Sequence, residues 1–360
     1  MKNRVLHVIE SLKPEAGSVA VSLDGLFRGL TARGIESTVL ARQGLSGRGE
    51  SVAATYAPGQ VREAVREAAI VHLHGWFGGL ALQAAGQARG TGTPYVISPL
   101  GGLCHGPYVD RRGIRHRLRM FLRENKLLSG ASAIASMNTR ERDGLIAEDV
   151  TVDPVDLPYG VDFENYVRSS EPGDGTDPPT AYDRTLLILA PIHPIEGFVP
   201  FLKAFAEIGA DFDRWGLVAG GPDTGDCRAT LEAAIRRKGG SDRARFVGAD
   251  TIESQRKLLG GAHVLVCPSL HYRAAVSIMQ AVALGVVAVA SDRVAPDGLA
   301  GVLDVCAPTR YDFRDTLRIA LGRTDDERAE MARKAREVAR ELYDWSVLCD
   351  RYVQLYRSFL

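Results

Sequence analysis

The chain has 360 residues, 45% hydrophobic and 24% charged, and its 44 basic and 44 acidic side chains give a formal net charge of zero. This balance is typical of a globular protein with one large or two ordinary domains, and it gives no overall electrostatic reason to expect nucleic acid as a partner. No apolar run reaches the roughly 18 residues of a membrane span, and the N-terminus is too quickly polar for a signal peptide. We therefore expect a cytoplasmic protein.

Strands and helices alternate along the first half of the chain. The apolar patterning predicts strands at 5–9, 37–40, 70–73, 95–98 and 133–135, and helices at 19–33, 79–89 and 112–128. The stretch 169–182 is rich in Pro, Gly, Asp and Thr and lacks apolar periodicity, so it is interpreted as a linker. Alternation of this kind predicts a parallel, doubly wound sheet.

The second half restarts the same pattern. It predicts strands at 186–189, 216–219, 245–247, 264–267 and 286–290, and helices at 198–208, 230–238, 252–259, 275–284, 325–342 and 346–359. The predicted fold class is α/β, with two Rossmann-like domains at 1–168 and 183–342 and a final helical segment at 343–360.

The number and spacing of the cysteines predict neither disulfide bonds nor a metal site. The chain has five of them, widely spaced and without a Cys-x-x-Cys pair, at Cys104, Cys227, Cys267, Cys306 and Cys349. A disulfide scaffold or a zinc site is therefore not expected, and neither is a metal cofactor.

Several segments in order resemble the family 4 retaining glycosyltransferases. They read HVIESLKPEAGSVAVSL, IVHLHGWF, PYVISPLGGL, LPYGVD, IHPIEG, LVAGGPD, LVCPSL…ALG and ELYDWSVL. The resemblance implies the GT-B fold, with two domains facing across a cleft, a nucleotide-sugar donor on the second domain and a glycan acceptor on the first. It also implies that the last helix crosses back to the first domain, and that an active enzyme would be a retaining hexosyltransferase.

The resemblance places a diphosphate clamp on the first loop of the second domain. The family has an Arg and a Lys there, and Pro191 and Glu196 stand at those positions before Gly197. Cations at this place stabilise the charge that develops on the leaving diphosphate, whereas a carboxylate would repel it. His193 in the same loop is a candidate catalytic residue, although loop packing is the commoner role for such a histidine.

The family's second signature is a pair of glutamates with seven residues between them. Tyr272 and Gln280 occupy the two positions, and Gln280 retains an amide able to hydrogen-bond a ribose. The Phe-Gly that follows the first glutamate is replaced by Ala274 and Ala275, and Val276 comes next. Arg273 is the one new cation in this loop, either a substitute phosphate ligand or a solvated surface residue.

Two further parts of the donor site lie on the first domain. The family often has a His after Ser-Pro, but Leu100 stands there and His105 lies five residues further on. A Gly-Gly phosphate loop of the family is represented by Gly17 and Ser18, and a serine amide still serves that purpose.

The remaining candidate site residues lie at or just after the carboxyl ends of strands, which are predicted to face the cleft. They are His74 on the first domain, and Gly221 and Asp223 on the second. Glycines at such places are more often tight turns than ligand contacts, and His74 is more often a packing residue than a catalyst.

Three hypotheses follow from these replacements. The first is a glycosyltransferase-like protein that is weakly active or non-catalytic and that acts with a protein partner in glycan or polysaccharide synthesis. The second is an active transferase that binds a nucleotide sugar through a rebuilt donor site. The third is another ligand-binding or group-transfer role in the same cleft.

A basic segment stands apart from the donor site. It covers Arg111 to Lys126 and reads RRGIRHRLRMFLRENK. A basic amphipathic face is suited to peripheral contact with anionic lipid, and a solvated helix face is the alternative.

Overall fold

The computed structural model describes residues 4–12, 18–43, 52–75, 78–101, 125–147, 150–168, 182–223, 226–236, 243–249, 251–271 and 276–360. These residues form two compact units. Unit 1 holds the described residues up to Gly160 together with those from Trp345 onward. Unit 2 holds the described residues between Val161 and Asp344.

Unit 1 is built on a seven-stranded sheet with parallel strand pairs. Its strands are β1 (Arg4–Ser11), β2 (Glu36–Gln43), β3 (Ala54–Tyr56), β4 (Ile70–His74), β5 (Tyr95–Ser98), β6 (Ala133–Ser136) and β7 (Pro154–Asp156), in the order β3-β2-β1-β4-β5-β6-β7. The central strands β4 and β5 are buried throughout, and β4 includes two buried histidines, His72 and His74. Strand order reverses between β1 and β4.

Within the described residues before 150, five helices accompany this sheet. They are α1 (Ser18–Thr31), α2 (Val61–Glu67), α3 (Gly79–Thr91), α4 (Asn125–Ser129) and α5 (Thr139–Ala147). Helix α3 ends because Gly92 adopts φ 69°, which lets its amide donate to the carbonyls of Ala88 and Arg89. The alanine-rich face of α3 is buried in the core of unit 1.

Unit 2 contains a six-stranded parallel sheet. Its strands are β8 (Arg184–Leu189), β9 (Trp215–Gly220), β10 (Ala244–Val247), β11 (Val264–Cys267), β12 (Val287–Ser291) and β13 (Asp304–Cys306), in the order β10-β9-β8-β11-β12-β13. Its helices are α6 (Phe163–Arg168), α7 (Phe198–Glu207), α8 (Cys227–Arg236), α9 (Ile252–Gly260), α10 (Val276–Ala283), α11 (Arg310–Gly322) and α12 (Asp325–Tyr343). Here strand order reverses between β8 and β11.

Aromatic packing joins α7 and α11 beside this sheet. The ring of Phe201 meets that of Phe313 edge-on at a centroid distance of 5.9 Å, and both side chains are fully buried. Both α11 and α12 begin at a threonine, Thr309 or Thr324, whose hydroxyl accepts a backbone amide of the first turn. Among the described residues, no helix combines the length and the apolar composition needed to cross a bilayer.

The last helix, α13 (Trp345–Arg357), packs on α1 within unit 1. A Cβ added at Gly25 would lie 2.1 Å from Cδ1 of Trp345, and one added at Gly29 would lie 2.1 Å from Sγ of Cys349. These two glycines are four residues apart and therefore form a groove on one face of α1. At its far end Arg33 forms an ion pair with Asp350.

We expect Gly25→Ala to destabilise the protein by about 1–3 kcal/mol, because the buried indole of Trp345 would have to move. Gly86→Ala on α3 is the control, since a Cβ there meets no heavy atom within 4 Å. That variant should gain about 0.5–1 kcal/mol from helix propensity. Urea unfolding measures both changes, and equal stability of the two variants would contradict the packing argument.

Candidate functional site

The carboxyl ends of β8 and β11 mark the candidate ligand site of unit 2, because ligands of parallel sheets bind where strand order reverses. The turn after β8 includes a short 3₁₀ segment, Pro194–Glu196. The amide of Leu270, after β11, donates to the carbonyl of Ile195 at 2.9 Å. The structure thus joins the loop of the predicted clamp to the loop that precedes Tyr272.

Glu196 is the most informative residue of this turn. Its side chain is buried, at 6% exposure, and its Oε1 lies 3.5 Å from Nε2 of His271. A carboxylate is therefore built into the turn at the position where the resemblance places a lysine. It would repel a diphosphate at this site, because like charges at short range inside a protein interact strongly.

His193 and Pro191 have structural roles in the same turn. The exposed imidazole of His193 accepts the amide of Ile195 through Nδ1 at 3.3 Å and caps the 3₁₀ segment. Pro191 is partly exposed and lies next to Ile192, whose amide donates to the carbonyl of Pro222 at 2.8 Å. The turn is thereby tied to the end of β9.

Gly197 and Gly221 are required by close backbone packing. Gly197 adopts φ 75°, and a Cβ there would lie 1.9 Å from the carbonyl oxygen of Pro268. A Cβ on Gly221 would lie 2.1 Å from the carbonyl oxygen of Ala190. These contacts account for both glycines without a ligand, since only glycine permits such an approach.

Asp223 caps helix α8. Its Oδ1 accepts the amides of Cys227 at 2.9 Å and of Arg228 at 3.3 Å. A helix N-terminus is an anion-binding position, and here the anion is a carboxylate of the chain itself. This helix start is therefore already neutralised.

Gln280 and Val276 lie on α10, the helix that follows the first predicted glutamate position and carries the second. Both side chains are buried, Gln280 at 3% exposure. Within the part of the chain that the structure describes, Oε1 of Gln280 has no hydrogen-bond partner. An unsatisfied buried amide oxygen is costly, so this oxygen is an acceptor suited to a ligand hydroxyl.

Several predicted site residues lie outside the described residues. They are Gly17, His105, Tyr272, Arg273, Ala274 and Ala275, together with most of the basic segment from Arg111. Ser18 is the first residue of α1. The predictions made for these residues stay predictions.

In unit 1 the switch point between β1 and β4 is lined by buried histidines. His7 pairs in register with His72, and His74 follows on the same face of β4. Nδ1 of His7 lies 2.9 Å from Nε2 of His74, and the two ring planes are 19° from parallel. Nδ1 of His74 contacts the hydroxyl of Tyr159.

His72 extends this network to α13. Its Nδ1 lies 2.7 Å from the hydroxyl of Tyr356, and its Nε2 lies 2.9 Å from Oγ of Ser98. Burial lowers the pKa of His7 to about 3, and burial together with the neighbouring histidines lowers the pKa of His72 and His74 well below the ordinary value. The three rings are therefore neutral at physiological pH.

The histidine cluster is held together by hydrogen bonds between its rings and neighbouring hydroxyl groups. One nitrogen from each ring lies within 4.8 Å of the others. Two nitrogens bound to one tetrahedral Zn²⁺ at about 2.0–2.1 Å would be about 3.3 Å apart. The 2.9 Å contact between Nδ1 of His7 and Nε2 of His74 is shorter than this and is a hydrogen bond between imidazoles. We interpret the cluster as a polar core that fixes α13 on the sheet.

The turn after β5 contains Leu100, where the resemblance places a histidine. Leu100 adopts φ 61°, which costs roughly 1–2 kcal/mol for a residue with a Cβ. The amide of the next residue, Gly101, donates to Oε1 of Glu141 at 2.5 Å. Oε2 of Glu141 accepts the amide of Met137 at 2.9 Å, so one buried carboxylate holds two segments.

Sequence reasoning missed Glu141, His271, His7 and Tyr159. The sequence held a weak signal for the histidine cluster, because His72 and His74 are two residues apart in one strand and therefore share one face of the sheet. Glu141 gave no signal, since an acidic residue in the first turn of a helix is ordinarily exposed.

Two family profiles match the chain, and together they cover more than half of it. One is described as "Glycosyl transferase 4-like domain" and matches residues 17–160, and the other is described as "Glycosyl transferases group 1" and matches residues 183–316. Among curated proteins, a GDP-mannose:cellobiosyl-diphosphopolyprenol alpha-mannosyltransferase of Xanthomonas campestris is 27% identical over 82% of this chain and 76% of its own length. An alpha-maltose-1-phosphate synthase of Mycolicibacterium smegmatis is 24% identical over 81% of this chain and 79% of its own length.

Solved structures show the same fold. HepE of Anabaena, in complex with UDP and glucose, superposes with a TM-score of 0.77 at 14% identity, covering 99% of both chains. A sucrose-phosphate synthase of Thermosynechococcus elongatus gives a TM-score of 0.73 at 16% identity, covering 99% of this chain and 98% of the other. The chain therefore belongs to the family 4 glycosyltransferases of the GT-B fold.

Proposed function

We propose that this chain is a glycosyltransferase-type protein of glycan synthesis that binds a nucleotide-sugar donor weakly and transfers sugar slowly at most. The observation that carries the proposal is the buried carboxylate of Glu196 beside His271. It stands on the turn at the switch point of unit 2, where the resemblance places the diphosphate, and a departing diphosphate needs positive charge. Pro191 adds no compensating cation, and Asp223 neutralises the nearby start of α8.

A transfer assay tests this proposal. Radiolabelled GDP-mannose and UDP-glucose are each supplied with cellobiosyl-diphosphopolyprenol, the acceptor class named for the mannosyltransferase relative. We expect labelled lipid to form at a rate far below the roughly 1–10³ s⁻¹ that is typical of enzymes. Turnover within that range would contradict the proposal.

One observation favours a second candidate, an active transferase with a rebuilt donor site. The amide oxygen of Gln280 has no hydrogen-bond partner among the described residues and is suited to a ribose hydroxyl. The mannosyltransferase relatives suggest GDP-mannose as the donor. This candidate requires saturable GDP-mannose turnover that is lost in Arg273→Ala, and the same transfer assay measures it.

A further inference from the structure

Glu141 is a buried carboxylate that no predicted catalytic role includes. It lies in the first turn of α5, and its side chain is fully buried. Its two oxygens accept amides from two different segments, Gly101 after β5 and Met137 after β6. A buried carboxylate with two charge-assisted hydrogen bonds holds its partners in a fixed geometry.

The segment that it holds lies at the carboxyl edge of the sheet of unit 1, the edge at which parallel sheets generally bind ligands. Gly101 directly follows Leu100, whose φ of 61° is unfavourable for a leucine. The amide of Gly75, at the end of β4, donates to the carbonyl of Ser98 at 2.8 Å, which ties this turn to the switch point of the sheet. A strained turn persists only when its surroundings determine it, and Glu141 supplies a contact that does so.

The electrostatic surroundings of Glu141 make its charge sensitive to pH. Burial raises the pKa of Glu141 to about 7, against the effect of the Met137 and Gly101 amides. Burial, and to a smaller extent the charge of Glu141, raises the pKa of Tyr159, whose phenol contacts His74. On α5 itself, Arg142 forms an ion pair with Asp156, and Asp143 is exposed.

We propose that Glu141 is a positioning residue that holds the turn of Pro99, Leu100 and Gly101 in the conformation in which unit 1 binds substrate. Its role as a positioning residue for transfer rests on the proposed function. The hydrogen bonds by which Glu141 holds the turn are independent of the proposed function, and they can be measured without any enzyme turnover.

Amide hydrogen exchange tests the held geometry. At pH 8 the amides of Gly101 and Met137 should be protected in the wild-type protein and should lose at least about tenfold of that protection in Glu141→Gln. The matched control is Asp143→Asn, which removes an exposed carboxylate from the same helix and should change neither amide. Unchanged protection in a folded Glu141→Gln variant would overturn the proposal.

Two further measurements separate positioning from a loss of folding. Glu141→Asp retains the charge and should give intermediate protection, while thermal unfolding checks that each variant is folded. As pH falls from 8 to 6, the carboxyl group gains a proton and loses acceptor capacity, so the Gly101 protection factor should fall in the wild type and stay flat in Glu141→Gln. A Gly101 protection factor that falls equally in Glu141→Gln would also overturn the proposal, because the change would then not come from this carboxyl group.

Transfer kinetics give the functional readout. Glu141→Gln should lower kcat/KM for the acceptor without changing the calorimetric Kd of the donor nucleotide. Absence of transfer in the wild type would concern the proposed function alone, because the exchange experiment still decides the role of Glu141 in the turn. Equal acceptor kcat/KM in an active wild type and in Glu141→Gln would contradict the positioning role.

Discussion

The double substitution Pro191→Arg and Glu196→Lys should tighten the binding of GDP or UDP by about a hundredfold. Removing a carboxylate and adding two cations would create charge-assisted hydrogen bonds worth about 1.5–3 kcal/mol each, and every 1.4 kcal/mol is tenfold in affinity. A hundredfold gain is less than the sum of the hydrogen bonds to both cations would give. The reason is that Glu196 is buried, so a lysine there must extend its ammonium toward solvent.

Single variants separate the two contributions. Glu196→Gln keeps the shape of the side chain and removes only the repulsion, so it should tighten binding several-fold. The control, Glu341→Gln, makes the same change in charge at an exposed site on α12 and should leave the affinity unaltered. Calorimetry measures each Kd. Affinities that do not change in folded Glu196 variants would show that this turn does not face the diphosphate.

Acidification should destabilise unit 1 steeply through its three buried histidines. In the unfolded chain each histidine takes up a proton near pH 6.5, whereas the folded chain keeps His7 neutral down to about pH 3. The unfolded state therefore binds more protons below pH 6.5, and stability falls as pH falls. Each histidine contributes about 1.4 kcal/mol per pH unit once pH is well below 6.5, or about 4 for the three together.

In part of this pH range, the contribution of Glu141 to the pH dependence of stability has the opposite sign. Its folded-state pKa of about 7 exceeds the ordinary value of 4.5, so the folded chain binds the extra proton between these values. Its contribution to stability is present below pH 4.5 and is lost as pH rises to 7. It therefore opposes the histidines between pH 4.5 and 6.5, but one carboxyl group does not outweigh three imidazoles.

His7→Gln isolates the histidine effect. Glutamine still forms hydrogen bonds but does not titrate, so the slope of unfolding free energy against pH below 5.5 should decrease by about 1.4 kcal/mol per pH unit. Urea unfolding at half-unit pH steps gives the slopes. The same slope in His7→Gln and the wild type would mean that His7 titrates normally in the folded protein.

The sequence predicted the two α/β units because apolar runs and helical periodicity are local properties. β5 and β11 coincide with the predicted segments, at Tyr95–Ser98 and Val264–Cys267. The edge strands β3 and β13 were missed because three-residue strands have too few positions to show a pattern. Helix α11 was also missed, although its buried Phe313 and Leu317 have helical spacing and Thr309 is a recognisable N-cap.

The candidate site was predictable only where motif order fixes the position of a residue. The resemblance identified the loops of Pro191, Glu196 and Gln280, and the structure brings the first loop against the segment that ends at His271. The contacts of Glu141 could not be predicted, because they join segments that are 40 residues apart through backbone amides. A hydrogen bond from a distant backbone amide to a side chain leaves no pattern in the amino-acid sequence.

The proposed loss of a diphosphate clamp is tested most directly by calorimetry of the wild-type protein with GDP, UDP, GDP-mannose and UDP-glucose. A buried carboxylate at the clamp position predicts dissociation constants weaker than about 1 mM for all four ligands. Micromolar binding of any of them would contradict this account and would show that the donor site has been rebuilt around other residues.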